Sequence, residues 1–409
     1  MTVSQFQTVE IGSVLEKVTR PVTVDPKAYY QEIGIRSHGK GLFDKEPVLG
    51  STLGDKRVFW VEPNCFMVNI VFAWERAIAK TTDADVGKIA SHRFPMYRPI
   101  EGKSDLDFIS YFFKTEYGRE LLSLASPGGA GRNKTLGQNE FLRLRVKLPP
   151  YEDQRKIGAI LSTWDRAIET VEALIANARK QKAALMQALL AGERHLPGAA
   201  HASEWTTRSL GELFTFKNGL NGEKSLYGSG VKFVNVMDVF RARTLHYRDI
   251  AGSMSVTPNQ LREYGLKKGD VLFNRTSETD DEIAISTVYL DDTPAVFGGF
   301  VIRARPIAGV LDIGFSVYVF QSPSVRRALI RLGQGGIRAN IGQGDLATVP
   351  VCLPPLPEQA KIAAVLSSED RTIEVLQRKF AALREEKAAL MQQLLTGKRR
   401  VKAAESEAV

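Results

Sequence analysis

Residues 148–194 read LPPYEDQRKIGAILSTWDRAIETVEALIANARKQKAALMQALLAGER, and residues 353–399 read LPPLPEQAKIAAVLSSEDRTIEVLQRKFAALREEKAALMQQLLTGKR. The two segments align without a gap at an offset of 205 residues, and 25 of the 47 aligned positions are identical. Self-similarity at one offset indicates a duplicated structural unit. The blocks in front of the two segments share almost nothing beyond their starts and a weak match at their ends, where Gly137 and Gln138 align with Gly342 and Gln343. The chain is therefore organised as variable block, helix, variable block, helix.

Each repeated segment predicts one long helix. It opens with a proline pair, at 149–150 or 354–355, which suits the entry of a helix but cannot continue one. It ends at Gly192 or Gly397, and glycine is the residue that helices favour just beyond their last turn. Between these limits lie about 40 residues, or roughly 60 Å of helix.

Apolar residues recur along both segments with alternating spacings of four and three. A narrow stripe of this kind over more than four heptads is typical of a coiled-coil seam, and the partner of matching length is the other copy. The alternative is two separate amphipathic helices, each packed on its own domain. The predicted seam comprises Ile157, Leu161, Trp164, Ile168, Lys182 and Leu185 in the first copy and Ile362, Leu366, Glu369, Ile373, Lys387 and Leu390 in the second.

The two lysines of the seam predict its direction. In a parallel pair Lys182 would meet Lys387, and two like charges in a dry seam are costly. An antiparallel pair in full register places Lys182 opposite Glu369 and Lys387 opposite Trp164, so each ammonium meets a carboxylate or an aromatic face. We therefore predict an antiparallel pair.

The composition describes a globular protein of 409 residues with 44% hydrophobic residues and a net charge of +9, which favours an anionic partner. No stretch approaches the roughly 18 apolar residues of a membrane span, and the start lacks a signal-peptide pattern, so we expect a cytoplasmic protein. Cys65 and Cys352 both lie in apolar surroundings, which argues against a disulfide framework or a zinc site.

The variable blocks contain short β-rich runs, such as RVFWV and DVLFN, between glycine and asparagine turns, together with short helical stretches. Each is predicted to be a compact mixed α/β domain. The predicted fold class is α+β, with two such domains separated by two long helices that form an antiparallel coiled coil. The predicted boundaries are domain 1 at 1–147, a central helix at 148–194, a linker at 195–204, domain 2 at 205–352, a distal helix at 353–399 and a disordered tail at 400–409.

Motifs of the common catalytic and metal sites are missing from the sequence. Lys134 and Thr135 resemble the end of a phosphate-binding loop, but Asn133 stands where that motif has glycine. There is no GxSxG, HExxH or pair of CxxC motifs, and the five histidines lack ligand spacing. The Asn-Pro-Pro-aromatic signature of amino-methylating enzymes is also missing. We therefore expect a non-catalytic chain without a metal site.

The repeated pattern LPPxxxQxKI, LxxxDRxIE and KxALMQxLLxGxR resembles the conserved regions of specificity subunits of type I restriction-modification systems. The resemblance implies that the variable blocks are target-recognition domains, each reading one half of a split site in double-stranded DNA. It also implies that the helices act as a spacer and bind two methyltransferase subunits, which motor-nuclease subunits join. By the same resemblance, this chain binds no cofactor, and the methyl donor and ATP are expected on the partner subunits.

Side chains suited to phosphates and base edges cluster beside glycines in both blocks. Two alternatives stay open at this point: a coiled-coil scaffold without a DNA role, and a fused methyltransferase or nuclease with a divergent site. The candidate DNA-binding residues are Arg36, Ser37, His38, Lys40, Ser91, His92, Arg93, Tyr97 and Arg98 in the first block and Asn274, Arg275, Thr276, Arg338, Asn340 and Gln343 in the second.

Overall fold

The computed structural model describes residues 6–128, 134–197, 205–333 and 339–400. Its contacts divide the chain into two compact units. Unit 1 comprises residues 1–172 and 378–409, and unit 2 comprises residues 173–377. Each unit therefore contains one variable block, the first part of the long helix that follows it, and the last part of the other long helix.

The variable block of unit 1 is a mixture of short strands and short helices. Its helices are α1 (Gly50–Leu53), α2 (Leu106–Lys114), α3 (Glu116–Leu124) and α4 (Gln138–Leu142). Its strands are β1 (Gln7–Glu10), β2 (Leu15–Val18), β3 (Tyr29–Tyr30), β4 (Ile33–Ile35), β5 (Leu42–Asp44), β6 (Val48–Leu49), β7 (Val58–Trp60), β8 (Phe66–Val68), β9 (Ile78–Lys80), β10 (Ile89–Ser91), β11 (Met96–Pro99) and β12 (Arg145–Leu148).

A four-stranded sheet in the order β2, β11, β8, β9 forms the centre of this block. Strand β1 pairs antiparallel with β12, which brings the start of the block beside its end, directly before the first long helix. The core contains the packed rings of Phe66, Phe113 and Phe141. The Phe113 ring centroid lies 5.2 Å from that of Phe66 and 5.6 Å from that of Phe141. Both long helices contribute buried residues to this core, including Leu161 and Leu394.

The two long helices are α5 (Tyr151–Leu190) and, at the end of the chain, α12 (Leu356–Leu394). Between them, unit 2 has the helices α6 (Leu210–Leu213), α7 (Val236–Arg241), α8 (Pro258–Tyr264), α9 (Ile313–Val319), α10 (Pro323–Leu332) and α11 (Gln343–Thr348). Its strands are β13 (Thr206–Ser209), β14 (Phe214–Asn218), β15 (Tyr227–Val234), β16 (Thr244–Leu245), β17 (Ser253–Met254), β18 (Val271–Asn274), β19 (Thr276–Ser277), β20 (Ser286–Tyr289), β21 (Val296–Phe297), β22 (Val301–Pro306), β23 (Ala339–Asn340) and β24 (Pro350–Leu353).

Unit 2 has a larger sheet, in the order β14, β22, β18, β20, β16. As in unit 1, the first strand of its variable block pairs with the last. Strand β13 pairs antiparallel with β24, as β1 does with β12. The Ile11 N–H donates to the Leu144 carbonyl at 2.9 Å, and the Leu210 N–H donates to the Val349 carbonyl at 2.9 Å. Leu144 and Val349 obey the offset of 205 residues, whereas Ile11 and Leu210 are 199 residues apart. The same backbone hydrogen bond therefore links the start of each block to the segment just before its long helix.

The predicted long helices are confirmed, and so is the predicted fold class. Helix α5 begins directly after its proline pair, and the chain beyond each helix passes through a glycine with positive φ, +69° at Gly192 and +74° at Gly397. Only glycine adopts that left-handed conformation without a steric penalty, which is why these helices end there. None of the helices in the described residues is both long enough and apolar enough to cross a membrane.

Contacts inside each unit establish the direction of the helix pair. In unit 2, Lys182 near the end of α5 contacts Asp370 in the first half of α12. In unit 1, Lys387 near the end of α12 contacts Asp165 in the first half of α5. Early segments therefore lie beside late ones, which is the antiparallel sense. The alternative of two helices that each pack only on their own domain is wrong, because each core contains residues of both helices.

The predicted partner of each seam lysine is wrong by one residue. Lys182 pairs with Asp370 instead of Glu369, and Lys387 pairs with Asp165 instead of facing Trp164. A lysine in a seam extends its long stem toward the edge, where the ammonium can reach a carboxylate that still contacts water. Asp370 and Asp165 are such edge residues, with 44% and 36% of their side-chain surface exposed.

Candidate nucleic-acid interface

Each seam aspartate joins three elements of its unit. In unit 1, Asp165 of α5 accepts a hydrogen bond from Lys387 of α12 and another, at 2.5 Å, from the hydroxyl of Tyr111 in α2. The Lys387 ammonium also lies 4.9 Å from the centroid of the Tyr111 ring. Burial alone would raise the pKa of Asp165, but the bonds from Lys387 and Tyr111 outweigh it and lower that pKa. The variable block is thereby tied to both helices at one carboxylate.

Unit 2 contains the same triad of an aspartate, a lysine and a tyrosine. Asp370 of α12 accepts from Lys182 of α5 and, at 2.9 Å, from the hydroxyl of Tyr318 in α9. The Lys182 ammonium lies 5.4 Å from the Tyr318 ring centroid. Burial lowers the pKa of Lys182, and the bond to Asp370 opposes that shift. The aspartates and lysines were visible in the sequence as identities of the repeat, but the tyrosines were missed because they belong to the variable blocks.

A buried glutamine anchors the start of each long helix. Gln154 donates from its amide to the Pro149 carbonyl at 2.9 Å and the Lys103 carbonyl at 3.1 Å, and it accepts from the Asp105 N–H at 3.1 Å. Gln359 donates to the Pro354 carbonyl at 2.9 Å and accepts from the Asp312 N–H at 2.8 Å. Asp105 and Asp312 cap α2 and α9. The two glutamines therefore hold the tyrosine-bearing helices against the long helices.

The predicted seam residues are all buried or half-buried on the two long helices. The lysines divide between the two units, as described above. Fully buried members are Ile157, Leu161, Lys182, Ile362 and Leu366. Half-buried members are Trp164, Ile168, Leu185, Glu369, Ile373, Lys387 and Leu390.

The first predicted DNA-binding cluster forms an exposed turn between β4 and β5. Arg36, His38 and Lys40 are exposed, and His38 has a positive φ of 63°. The Ser37 hydroxyl donates to Glu75 at 2.9 Å, which holds the turn against the block. The guanidinium of Arg36 lies 4.9 Å from the centroid of the ring of Phe43. The turn thus presents three cationic or titratable side chains to solvent on a constrained backbone.

The second predicted cluster of unit 1 separates into surface and interior residues. His92 and Arg93 are exposed, and the half-buried Ser91 accepts from the Arg93 N–H at 3.3 Å. Arg98 forms an ion pair with Glu62 at 3.3 Å. Ser91 and His92 line a concavity that does not include the turn of Arg36, so the two clusters do not share one site.

Tyr97 was wrongly assigned to the DNA-binding surface. Its side chain is 0% exposed and its ring lies 5.0 Å from that of Phe141, because this position of β11 faces the core. Burial raises the pKa of its hydroxyl. That hydroxyl has no hydrogen-bond partner among the described residues. A group so enclosed cannot reach a ligand without unfolding of the block.

This assignment to the core yields a stability prediction. We expect Tyr97→Phe to raise the free energy of unfolding by about 1 kcal/mol, because it removes a buried polar group that lacks a partner. The matched control is Tyr30→Phe, since the Tyr30 hydroxyl accepts from the Asp25 N–H at 2.9 Å and its loss should lower the free energy by about 1 kcal/mol. Urea unfolding of the full chain measures both. Equal destabilisation by the two variants would contradict the interior role of Tyr97.

The candidates of unit 2 lie around β19 and β23, where Thr276 donates to Asn340 at 2.8 Å across the strand pair. Arg275 is exposed beside them. Asn274 was wrongly assigned to the surface: it is 0% exposed and its amide donates to the Thr276 and Glu282 carbonyls at 3.2 and 3.1 Å. Its amide N–H groups are bonded inside the fold, and its Oδ1 is buried without a partner among the described residues.

Two further candidates of unit 2 have different outcomes. Gln343 is half-buried, and its amide lies between the Phe216 carbonyl and the Asn218 N–H, at 3.3 and 3.0 Å. Arg338 lies outside the described residues.

Glu278 and Glu282 line the same concavity as Thr276, and these carboxylates disfavour a phosphate there. The surface around Thr276 is therefore better suited to base edges than to the DNA backbone.

Over the ranges that the structure describes, no three histidine, cysteine, aspartate or glutamate side chains come together in a way that could hold a metal ion.

Comparison with known proteins gives one consistent result. The chain matches the family described as "Type I restriction modification DNA specificity domain" over residues 5–179 and again over 202–385. The type I restriction enzyme MjaVIII specificity subunit of Methanocaldococcus jannaschii is 27% identical over 276 residues, which cover 64% of each chain. The type I restriction enzyme EcoKI specificity subunit of Escherichia coli is 24% identical over 62% of this chain and 56% of that protein. The aligned region thus spans less than two thirds of either curated relative.

A solved structure extends the similarity to almost the whole fold. The HsdS subunit from Thermoanaerobacter tengcongensis has a TM-score of 0.54 to this chain, at 21% identity and with 97% of both chains covered. The two family matches together include most of both variable blocks and most of both long helices. The chain therefore belongs to the family of type I restriction-modification DNA specificity domains and carries that domain twice.

Proposed function

We propose that this chain is the DNA-sequence-recognition subunit of a type I restriction-modification complex, in which each variable block reads one half of an asymmetric, bipartite target. The observation that carries the proposal is that the two units share the same internal contacts but differ in their exposed surfaces. The triad, the glutamine anchor and the strand pairing recur in both units, whereas the exposed turn of Arg36 has no sequence counterpart beside Arg275.

In this proposal, the antiparallel helices set the distance between the half-sites. They also dock the methyltransferase subunits, two in number, which the motor-nuclease subunits join. The chain itself supplies recognition and scaffolding and no catalysis. The methyl donor and ATP act on the partner subunits, so the isolated full chain should not bind the methyl donor.

Methylation mapping of DNA from cells that carry the complete system tests the proposal. The expected result is methylation at a split motif, with two specified halves and an unspecified spacer of constant length. Loss of that methylation on deletion of this chain alone would assign the motif to it. A continuous motif, or methylation that persists without the chain, would overturn the proposal.

The modular reading makes a further prediction. Exchange of residues 1–147 with the corresponding block of a relative should change one half of the methylated motif and leave the other half and the spacer unchanged. The reason is that unit 2 contains its own complete variable block, residues 205–352, with its own core. The matched control is the reciprocal exchange of residues 205–352, which should change the opposite half. A change in both halves after a single exchange would contradict the modular reading.

A further inference from the structure

Each unit has a cleft where its variable block meets the long helices. Cleft 1, of about 510 Å³, is lined by the turn 39–41, by Lys80 and Lys114 of the variable block and by Arg166 of α5, beside the triad of Asp165. Cleft 2, of about 580 Å³, is lined by Arg243 of the variable block and by Arg179 of α5 and Arg371 of α12, beside the triad of Asp370.

Cations outnumber carboxylates in cleft 1. Asp165 is already bonded to Lys387, and Asp107 is bonded to Lys80 at 2.5 Å. Glu169 remains as an exposed carboxylate. Within the described part of the chain, no ion pair is formed by Lys40, Lys114 or Arg166.

Cleft 2 has the same imbalance. Asp370 is bonded to Lys182. The other carboxylate of the lining is Glu374. In the ranges described, no ion pair is formed by the three arginines of the lining, Arg179, Arg243 and Arg371.

Each cleft has one cation at an aligned position of the repeat and another at a position without a counterpart in the other unit. Arg166 and Arg371 are aligned in the repeat, one residue after each triad aspartate. The second cation comes from unrelated positions, Lys114 at the end of α2 and Arg243 directly before β16. Burial lowers the pKa of Lys114, and Lys387 and Lys80 lower it further while Asp165 opposes them. Two unrelated domains thus each place an additional cation in the cleft beside the triad of their unit, which is expected if both clefts bind the same anion.

We propose that clefts 1 and 2 are sequence-independent phosphate sites, each of which receives the sugar-phosphate backbone of the DNA duplex that the variable blocks read. The inference rests on the proposed function and adds residues to it. The anion must be the same in both units although the recognised bases differ, and the phosphate is the part of DNA that does not vary. In unit 1, moreover, Lys40 belongs both to cleft 1 and to the exposed turn of Arg36 and His38, so the cationic surface is continuous.

Salt-dependent binding tests the proposal. The full chain and its variants Arg166→Ala, Arg371→Ala and the double variant are titrated with a mixed-sequence DNA duplex, by fluorescence anisotropy, over a series of salt concentrations. Each phosphate contact that a variant loses should reduce the steepness of log affinity against log salt by about 0.9. The double variant should reduce it by about twice that amount. At ~0.1 M salt, each single change should weaken binding roughly threefold to tenfold. The conservative variant Arg166→Lys keeps the charge and should restore most of the slope.

The matched control is Arg155→Ala, an exposed arginine of α5 that is paired with Glu152 and lines neither cleft. Its slope should equal that of the unmodified chain. Unchanged slopes in the Arg166 and Arg371 variants would overturn the proposal. If the slopes are unchanged but the methyltransferase no longer co-purifies, the proposal is also overturned, because the clefts would then bind carboxylates of a partner protein. Failure of the proposed function is a separate result: the unmodified chain and its complex would then show no split methylation motif, whatever the slopes.

Discussion

Replacement of Asp165 by asparagine is expected to lower the free energy of unfolding of unit 1 by about 2–4 kcal/mol. The substitution preserves the shape of the side chain, but it leaves the half-buried Lys387 ammonium without its counter-charge. The free-energy penalty of removing that ammonium from water is then no longer offset by the ion pair. We place the value below the range for fully buried pairs because Asp165 still contacts water. Thermal and urea unfolding of the full chain measure the change.

Two comparisons make the Asp165 prediction specific. Glu169→Gln changes an exposed carboxylate one turn further along α5 and should alter stability by no more than about 0.5 kcal/mol. The double variant Asp165→Asn, Lys387→Met should recover much of the lost stability, because it removes the uncompensated ammonium as well. An unchanged stability of the single variant would contradict the role assigned to the triad.

The same pair predicts a pH dependence. The pKa of Asp165 is lower in the folded chain than the usual value of about 3.9 in an unfolded one. Its contribution is therefore complete above that unfolded value and is lost as the pH falls through the lower, folded value. The difference in stability between the unmodified chain and the Asp165→Asn variant should thus be constant near neutral pH and shrink below about pH 4. A difference that persists unchanged in acid would exclude the ion pair as its source.

Replacement of Gln154 by alanine is the second substitution with a large expected effect, a loss of about 2–4 kcal/mol. Gln154 is 1% exposed, and its removal leaves the Pro149 and Lys103 carbonyls and the Asp105 N–H without this partner. Because Asp105 caps α2, the change also loosens the helix that carries Tyr111. Urea unfolding measures the loss, and weaker protection of the α2 amides in hydrogen exchange would locate it.

The Gln154 prediction has its control in the same helix. Gln187→Ala changes an exposed glutamine of α5, keeps helix propensity high and should be close to neutral. Gln154→Glu keeps an acceptor for the Asp105 N–H but places a carboxylate against two carbonyl oxygens, so it should be at least as destabilising as alanine near neutral pH. A Gln154→Glu variant as stable as the unmodified chain would refute this hydrogen-bond assignment.

The candidate site was predicted less completely than the fold, for a reason that Tyr97 and Asn274 illustrate. Residue type indicates which side chains can bind phosphates or base edges, but both residues lie on strands, where neighbouring side chains point to opposite faces. Which face is covered depends on the elements packed against it, and no single-sequence pattern in these divergent blocks specifies that. Arg36, His38 and Arg275 remain predictions, now placed on exposed surface.

The error in the partners of the seam lysines has a similar origin. Heptad spacing describes which positions point toward the partner helix, and on that basis Lys182 faces Glu369. The spacing does not describe how far a flexible lysine reaches, and the lysine selects the carboxylate that keeps contact with water while a tyrosine hydroxyl supplies a second bond to it.

The sequence by itself determined the duplication and the two long helices, because these follow from local periodicity and from identities at a constant offset. The charges of the two seam lysines predicted the antiparallel sense, and the resemblance of the repeated motif to specificity subunits predicted the family. The tertiary structure alone decided which groups complete the frame. Tyr111 and Tyr318 do not obey the offset of the repeat, yet each donates to the seam aspartate of its unit. Lys114 and Arg243 have no alignment at all, yet each lines the cleft beside that aspartate. Such convergence depends on how two unrelated blocks fold against a common helix pair, and long-range packing of that kind leaves no periodic signal in the chain.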